Sequence, residues 1–176
     1  MGGCVLPVII NSGSGNQGMT ASLPVIVYAQ ALDVDNDTLL RALIISNLVT
    51  IHLKTGIGRL SAYCGVISAG CGVGAAVTYL YGGGYPEIAA TVVNALAINS
   101  GVICDGAKAS CAAKIASAVD AGLLGQRMGL FGTEFQSGDG IVDECVESTI
   151  RNVGILAREG MRETDRTIID LMISKI

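Results

Sequence analysis

The chain has 176 residues, a length that suits one domain with its own core, and we expect residues 1–176 to form a single domain. Its net charge is −4 and its 11 lysine and arginine residues form no basic cluster. This excludes a nucleic-acid-binding protein, because phosphates require a positive surface. Apolar residues make up 51% of the chain but aromatic residues only 4%, and 24 residues are glycine, so small side chains must close the interior between helices that approach closely.

Hydropathy and cysteine content bear on the cellular environment. The mean hydropathy is +0.57, and residues 60–86 carry no charge, while about 20 apolar residues suffice to span a membrane. This run is rich in alanine and glycine and is broken by three consecutive glycines, so it predicts a buried helix rather than a membrane segment. Six cysteines without a recognisable signal peptide predict reduced thiols in the cytoplasm, and favour metal binding or catalysis over disulfides.

The chain opens with a short apolar run, LPVII, which could form a strand, and continues with the glycine-rich segment NSGSGNQG at residues 11–18. The GxGxxG spacing is that of a dinucleotide-binding loop, but Pro24 interrupts the helix that should follow, and no alternating strands come after it. A second interpretation is a backbone nest, in which glycines with positive φ and polar side chains bind a substrate carboxylate. An ordinary loop is the third. The candidate substrate-binding residues are Ser12, Gly13, Ser14, Gly15, Asn16 and Gln17.

A helix is predicted from residue 36 or 37 to about residue 56, where apolar residues recur at intervals of three and four. His52, the only histidine, lies near its end and is a candidate general base, although a helix C-terminus also favours a basic side chain. Lys54 and Arg59 could stabilise an anionic cluster or bind a carboxylate, or they could be solvated surface charges.

Further helices are predicted from about residue 60 to 80 and from about 87 to 99. The first of these carries Cys64 and Cys71, two turns apart on one face, so only one of them is expected to bind a metal centre. The residue pattern alone does not decide between the two.

The segment GVICDGAKASCAAK, residues 101–114, contains two cysteines and an Asp-Gly break. In one unbroken helix the Cα atoms of Cys104 and Cys111 would lie roughly 10 Å apart, which is awkward for two ligands of one small metal centre. The breaks at Gly101 and Gly106 instead place Cys104 in a turn and Cys111 in the first two turns of the next helix. Both thiols can then converge at a helix N-terminus, which favours an anion such as a thiolate-bound iron–sulfur cluster.

The last part of the chain is also predicted to be helical. One helix runs to about residue 124, with Gly125 as its stop, and residues 129–140 form a loop. A further helix begins at Ser137 or Asp139 and runs through residue 158, with Cys145 as a structural residue. A final amphipathic helix packs through Ile168, Ile169, Met172 and Ile173. The prediction is an all-α protein, a compact bundle of about six or seven helices, with at most one short N-terminal strand.

Four segments, taken together, resemble a known family: INSGSGNQG, GRLSAYCG, GVICDGAKASCA and REGMRETDRTIIDLM. The chain resembles the serine dehydratase alpha-chain-like family almost end to end, and in particular its L-cysteine desulfidase branch. The resemblance implies an oxygen-sensitive [4Fe–4S] cluster held by Cys64, Cys104 and Cys111, with the fourth iron open to substrate. The choice of Cys64 over Cys71 rests on this resemblance.

The resemblance also implies a reaction, the β-elimination of L-cysteine or L-serine to pyruvate, ammonia and sulfide or water, without pyridoxal phosphate. Lys108 and His52 are candidates for the base that removes the Cα proton. Family members carry a long N-terminal region with a cysteine thought to act in catalysis, and nothing here corresponds to it. We therefore expect this chain to be the C-terminal part of a longer enzyme, or one chain of a two-part enzyme whose partner is the N-terminal catalytic half.

Two other functions stay open at this point. A structural zinc site could use the same cysteines, with Cys71 or His52 as the fourth ligand. A non-catalytic helical oligomerisation domain would instead bury all the cysteines as small apolar side chains. Helices that are rich in small residues and poor in charge also predict a homo-oligomer. For the lyase, the expected partners are a small amino-acid substrate and the N-terminal half, but no nucleic acid and no membrane.

Overall fold

The computed structural model describes residues 4–174, and these form a helical bundle with no sheet. Within them, seven α-helices and one π-helical turn follow one another. They are α1 (Gly15–Ala31), α2 (Asn36–Ile57), α3 (Gly65–Leu80), α4 (Tyr85–Ile98), α5 (Cys111–Leu130), α6 (Val146–Ile155), the π-helical turn (Leu156–Gly160) and α7 (Arg162–Ile173). The prediction of an all-α bundle of six or seven helices is confirmed.

The segment before α1 is not a strand, so the suggested N-terminal strand is wrong. Residues 4–10 have no regular secondary structure, and Val5 and Ile9 are 96% and 84% exposed. Among the described residues, the only ladder contact near this segment is an isolated bridge between Asn11 and Ser14. A strand needs a partner along its length to satisfy its backbone groups, and this run has none there.

Helix α3 is the centre of the bundle, and α1, α2, α4 and α5 pack around it. Every residue from Gly65 to Thr78 is buried, as expected for a helix that is apolar on all sides. This helix accounts for most of the uncharged run in the sequence. Neither α3 nor any other helix within residues 4–174 has both the length and the apolarity needed to cross a membrane.

Glycines let α3 and α5 approach until their backbones touch. A Cβ atom at Gly70 would collide with the Ala118 carbonyl oxygen, and one at Gly122 would collide with the carbonyl oxygen of Gly70. Since only glycine leaves room for such contact, the high glycine content is a packing requirement of this helix pair.

Two helices continue past residues that were expected to end or interrupt them. At Gly125 a Cβ would lie 2.8 Å from the Thr91 carbonyl oxygen of α4, so this glycine serves close packing within α5 rather than stopping the helix. Pro24 lies inside α1. Its missing N–H leaves one carbonyl without a helical partner, but burial of Ala21 and Val25 stabilises the helix on both sides of it.

The helix predicted to start at Ser137 or Asp139 starts at Val146 instead. Gly138 and Gly140 have φ values of +102° and +68°, which a right-handed helix does not allow. The final amphipathic helix exists as α7, but none of its residues is buried. Its apolar residues therefore do not form a packing face within the described part of the chain, contrary to the prediction.

Candidate active site

One cavity of about 240 Å³ gathers the three predicted cysteine ligands and much of the glycine-rich turn. Three helices begin at this cavity, since Ser14 caps α1, Cys64 caps α3, and Cys111 is the first residue of α5. The N-terminal N–H groups of these helices favour an anion in the cavity. The residues of both motifs that line it are Cys64, Cys104, Cys111, Gly13, Ser14, Asn16 and Gln17.

A short backbone pairing sets Cys64 and Cys104 side by side. The Cys64 N–H donates to the Val102 carbonyl at 3.0 Å, and the Cys104 N–H donates to the Ala62 carbonyl at 2.6 Å, around one isolated antiparallel bridge. Cys64 therefore precedes α3. The sequence had predicted that Cys64 lies inside a helix that starts near residue 60, and this prediction is wrong. The partners are far apart in sequence, so no local pattern reveals this pairing.

Cys111 reaches the same cavity from the start of α5. Its thiol donates to the Gly106 carbonyl at 3.6 Å and accepts from the Lys108 N–H at 3.4 Å. Gly106 has φ +90°, which turns the chain back between Cys104 and Cys111. The prediction that Cys111 lies in the first turns of a helix is confirmed, whereas Cys104 lies in the short segment paired with residues 62–64, and the turn follows it at Gly106.

Two of the thiols interact directly with each other. A hydrogen bond from the Cys64 thiol lowers the pKa of Cys104, against the effect of burial, and Lys114 adds to this lowering. The same hydrogen bond, together with burial, raises the pKa of Cys64. Of the two thiols, Cys104 is therefore the one whose ionisation the site favours.

Cys71 differs from these three thiols in its surroundings. It is 1% exposed and belongs to the main hydrophobic core, and burial raises its pKa to about 12. It does not line the cavity. Its environment is that of a small buried apolar side chain, as the sequence had suggested.

Two lysines near the thiols have different surroundings. Lys114 donates to the Ile103 carbonyl at 2.7 Å and to the Asp105 carboxylate at 2.8 Å, and thus braces the cysteine loop. Lys54 is only 5% exposed and lines the cavity, and its side chain makes no hydrogen bond or salt bridge among residues 4–174. Burial lowers the pKa of Lys54, which the Cys104 and Cys64 thiols partly oppose.

Two more polar groups in the cavity wall have no partner in the described chain. They are the Gln17 Oε1 atom and the Tyr63 hydroxyl. The Gln17 side-chain N–H is already used, because it donates to the Ser14 hydroxyl at 3.3 Å. Gly65 makes room for this amide, since a Cβ there would lie 2.5 Å from the Gln17 side chain.

The glycines of the glycine-rich turn do not have the positive φ values that were predicted for them. Of its residues only Ser12 has a positive φ, +58°, whereas the glycines provide room. A Cβ at Gly13 would lie 2.9 Å from the Arg59 carbonyl oxygen, and one at Gly15 would clash with Val8. Ser12 lines a second, adjoining cavity, and Gly15 lines neither of the two. The proposed role of the turn in substrate binding stays a prediction.

The two candidate bases are placed differently. His52 lies on the exposed side of α2, its Nε2 is 2.8 Å from the Glu147 carboxylate, and it does not line the cavity. Lys108 lies in the cysteine loop, but its half-exposed ammonium group is bonded to the Asp105 carbonyl. Neither side chain is therefore directed at a substrate in the cavity.

The three cysteines are not arranged around a single ion. In the described residues, no three or more Cys, His, Asp or Glu side chains are arranged to hold one metal ion. A structural zinc site requires four ligands around one ion. An iron–sulfur cluster distributes its thiolates over separate iron atoms, so its ligands need only face one cavity. The three cysteines, an adjacent buried cation and three helix N-termini are compatible with such an anionic group.

Comparisons with known proteins agree with the motifs. The family described as serine dehydratase alpha chain matches residues 1–170. A UPF0597 protein of Desulfitobacterium hafniense is 65% identical over 99% of this chain, and one of Lachnoclostridium phytofermentans is 59% identical over 99%. The chain covers 41% and 42% of these two relatives, so it spans about two fifths of their length. No solved structure matches the chain.

Proposed function

Because the chain belongs to the serine dehydratase alpha chain family, we propose that it is the cluster-binding part of a lyase that acts on L-cysteine or L-serine without pyridoxal phosphate. The observation that carries this proposal is the convergence of Cys64, Cys104 and Cys111 on one cavity at three helix N-termini. The assignment to the L-cysteine desulfidase branch is part of the proposal, since the names of the relatives state no activity.

The three cysteines would hold a [4Fe–4S] cluster. When bound, such a cluster supplies a Lewis-acidic iron with an open position for the leaving group at Cβ. The thiolates and the nearby Lys54 would set the charge of the cavity, and Lys114 would keep the cysteine loop in place through Asp105. Six free thiols among the described residues are consistent with the reducing cytoplasm as the site of action.

The chemistry is an elimination across the Cα–Cβ bond. A base takes the Cα proton, the Cα–H electron pair forms the double bond, and the Cβ–S or Cβ–O bond breaks with release of sulfide or water. The aminoacrylate product then hydrolyses to pyruvate and ammonia. Because neither His52 nor Lys108 is directed into the cavity, we assign the base to the N-terminal catalytic half, on the same or a separate chain. The Ser12–Gln17 turn would contribute to substrate binding.

The proposal is tested by anaerobic reconstitution of the chain with iron and sulfide. We expect a brown protein with about four irons per chain, and loss of the colour in Cys64→Ser, Cys104→Ser and Cys111→Ser. Cys71→Ala is the matched control and should keep the cluster, because Cys71 lies in the core away from the cavity.

A second stage adds the N-terminal half and measures pyruvate release with L-cysteine and with L-serine, which identifies the substrate. A colourless protein that binds no iron would contradict the proposal. So would an iron content that the three cysteine substitutions leave unchanged, since that result would place the metal elsewhere.

A further inference from the structure

The Lys54 side chain is largely buried and forms no salt bridge with a carboxylate in the described chain, and the Cys104 and Cys64 thiols are the groups that favour its charge. It lies in the last turns of α2, is 5% exposed, and has no hydrogen-bonding or ionic partner among residues 4–174. Burying an unpaired charge is costly, and such a residue is retained where an anion completes the site. Lys54 also lines both the cysteine cavity and a second cavity of about 430 Å³, which Ser12, Thr55 and Arg59 border.

Gln17 provides an unpaired hydrogen-bond acceptor in the same cavity. Its Nε2 donates to the Ser14 hydroxyl, and its Oε1 is buried with no donor. The free oxygen is an acceptor, which suits a positively charged N–H group. This adds an acceptor role to the one expected from the sequence, in which Gln17 was to donate to a carboxylate.

Tyr63 adds a third unpaired group. Its hydroxyl is buried without a partner and can donate a hydrogen bond. The cavity thus contains one cation, one acceptor and one neutral hydroxyl, all in the wall that also carries the three cysteines. Buried polar groups normally have partners, so two without them, beside a largely buried lysine that lines the same cavity, indicate a ligand.

We propose that Lys54 and Gln17 bind the two charged ends of a free α-amino acid, Lys54 its carboxylate and Gln17 Oε1 its ammonium group. The assignment rests on the proposed function in one respect, because it makes this amino acid the substrate of the lyase. It predicts that the cavity selects a small zwitterion and rejects peptides, in which one or both charges are missing. The Cβ substituent is then left to face the cysteines.

The test uses three ligands without a leaving group, namely L-alanine, L-alaninamide, which lacks the carboxylate, and propionate, which lacks the ammonium group. Binding to the reduced chain is measured by calorimetry for wild type, Lys54→Met and Gln17→Met, with Arg41→Met as the control. Arg41 lies on the same helix as Lys54, but at the surface, where it pairs with Asp37. A charge-assisted contact predicts that Lys54→Met weakens L-alanine binding roughly 30-fold.

The same substitution should leave the binding of L-alaninamide unchanged, and Gln17→Met should weaken L-alanine but leave propionate unchanged. Lys54→Met should also raise the melting temperature of the ligand-free chain, because it removes an unpaired buried charge. Equal weakening of L-alanine and L-alaninamide, or no binding of L-alanine by wild type, would overturn the assignment.

Failure of this inference and failure of the proposed function can be told apart. The visible spectrum of the reconstituted chain reports on the cluster independently of alanine binding. If Lys54→Met takes up the cluster and binds L-alanine as wild type does, only the inference is wrong. If alanine binding depends on Lys54 and no chain takes up iron, only the cluster is wrong.

Discussion

Gly65 is the first residue of α3 and faces the amide of Gln17. A Cβ at this position would lie 2.5 Å from the Cδ and Nε2 atoms of that side chain. Gln17 is buried and lines the cavity, so a displaced amide would change the shape of the cavity. A single methyl group here therefore alters the cavity more than it alters the fold.

Gly65→Ala should weaken L-alanine binding roughly tenfold while lowering the free energy of unfolding by only about 1 kcal/mol. Calorimetry and urea denaturation measure the two quantities. The matched control is Gly101→Ala, since a Cβ at Gly101 meets no atom within 4 Å. A large loss of stability without a loss of binding would show that Gly65 serves the packing of α3 instead.

At the residue scale, the sequence predicted the cysteines better than the groups around them. The Asp-Gly break and the cysteine spacing were enough to place Cys111 at a helix start and Cys104 outside that helix, before a turn at Gly106. The backbone pairing that brings Cys64 to Cys104 could not be predicted, because it joins segments distant in sequence. The missing partners of Gln17 and Lys54 are likewise a property of the assembled cavity, which no local pattern contains.

Some glycines lie at close helix contacts and others do not. Glycine-to-alanine substitutions in the bundle should therefore change the free energy of unfolding in opposite directions. At Gly74 of α3, a Cβ would collide with the Gly122 carbonyl oxygen and lie 2.9 Å from the Thr91 side chain. Gly74→Ala should therefore lower the free energy of unfolding by about 2–3 kcal/mol. Urea denaturation with circular dichroism is the measurement.

Gly56 in α2 supplies the comparison for that prediction. A Cβ there would lie 3.7 Å from the Gly154 Cα atom, an ordinary contact, and alanine is a better helix former than glycine. Gly56→Ala should raise the free energy of unfolding by about 0.5–1 kcal/mol. If both substitutions had the same effect, backbone contact between α3 and α5 would not be the reason for the glycines.

At the scale of elements, apolar periodicity predicted α2 to within about a residue at each end, because its buried face repeats regularly. The errors arose at glycines and prolines. Pro24 and Gly125 predict a break in a helix. Both lie where the helix packs against its neighbours, and the helix continues through each of them because this packing stabilises it. At Gly138 and Gly140 the positive φ values exclude a right-handed helix, so the helix begins later than predicted, at Val146.

At the scale of the whole molecule, the main buried cluster extends well beyond the cavity, although Tyr63, Cys64 and Val66 belong to both. Leu53, Ile67 and Leu96 belong to the main buried cluster, which joins α2, α3 and α4. We expect removal of iron by a chelator to leave the far-ultraviolet circular dichroism and the cooperative unfolding of the chain intact. Small zinc domains behave differently, because they unfold without their metal. Loss of helicity on chelation would show instead that the metal organises the bundle.

Because α3 is enclosed by other helices, the cysteines of the cavity are attached to parts of the chain that open at different rates. Amides of a helix surrounded on all sides should exchange with deuterium only when the entire chain unfolds, whereas a loop such as residues 101–110 exchanges through local opening. Cys64 is attached to the slowly exchanging helix, and Cys104 lies in the loop. The cavity can thus open on one side while the other stays fixed, which would let an inorganic group enter or leave a chain that remains folded.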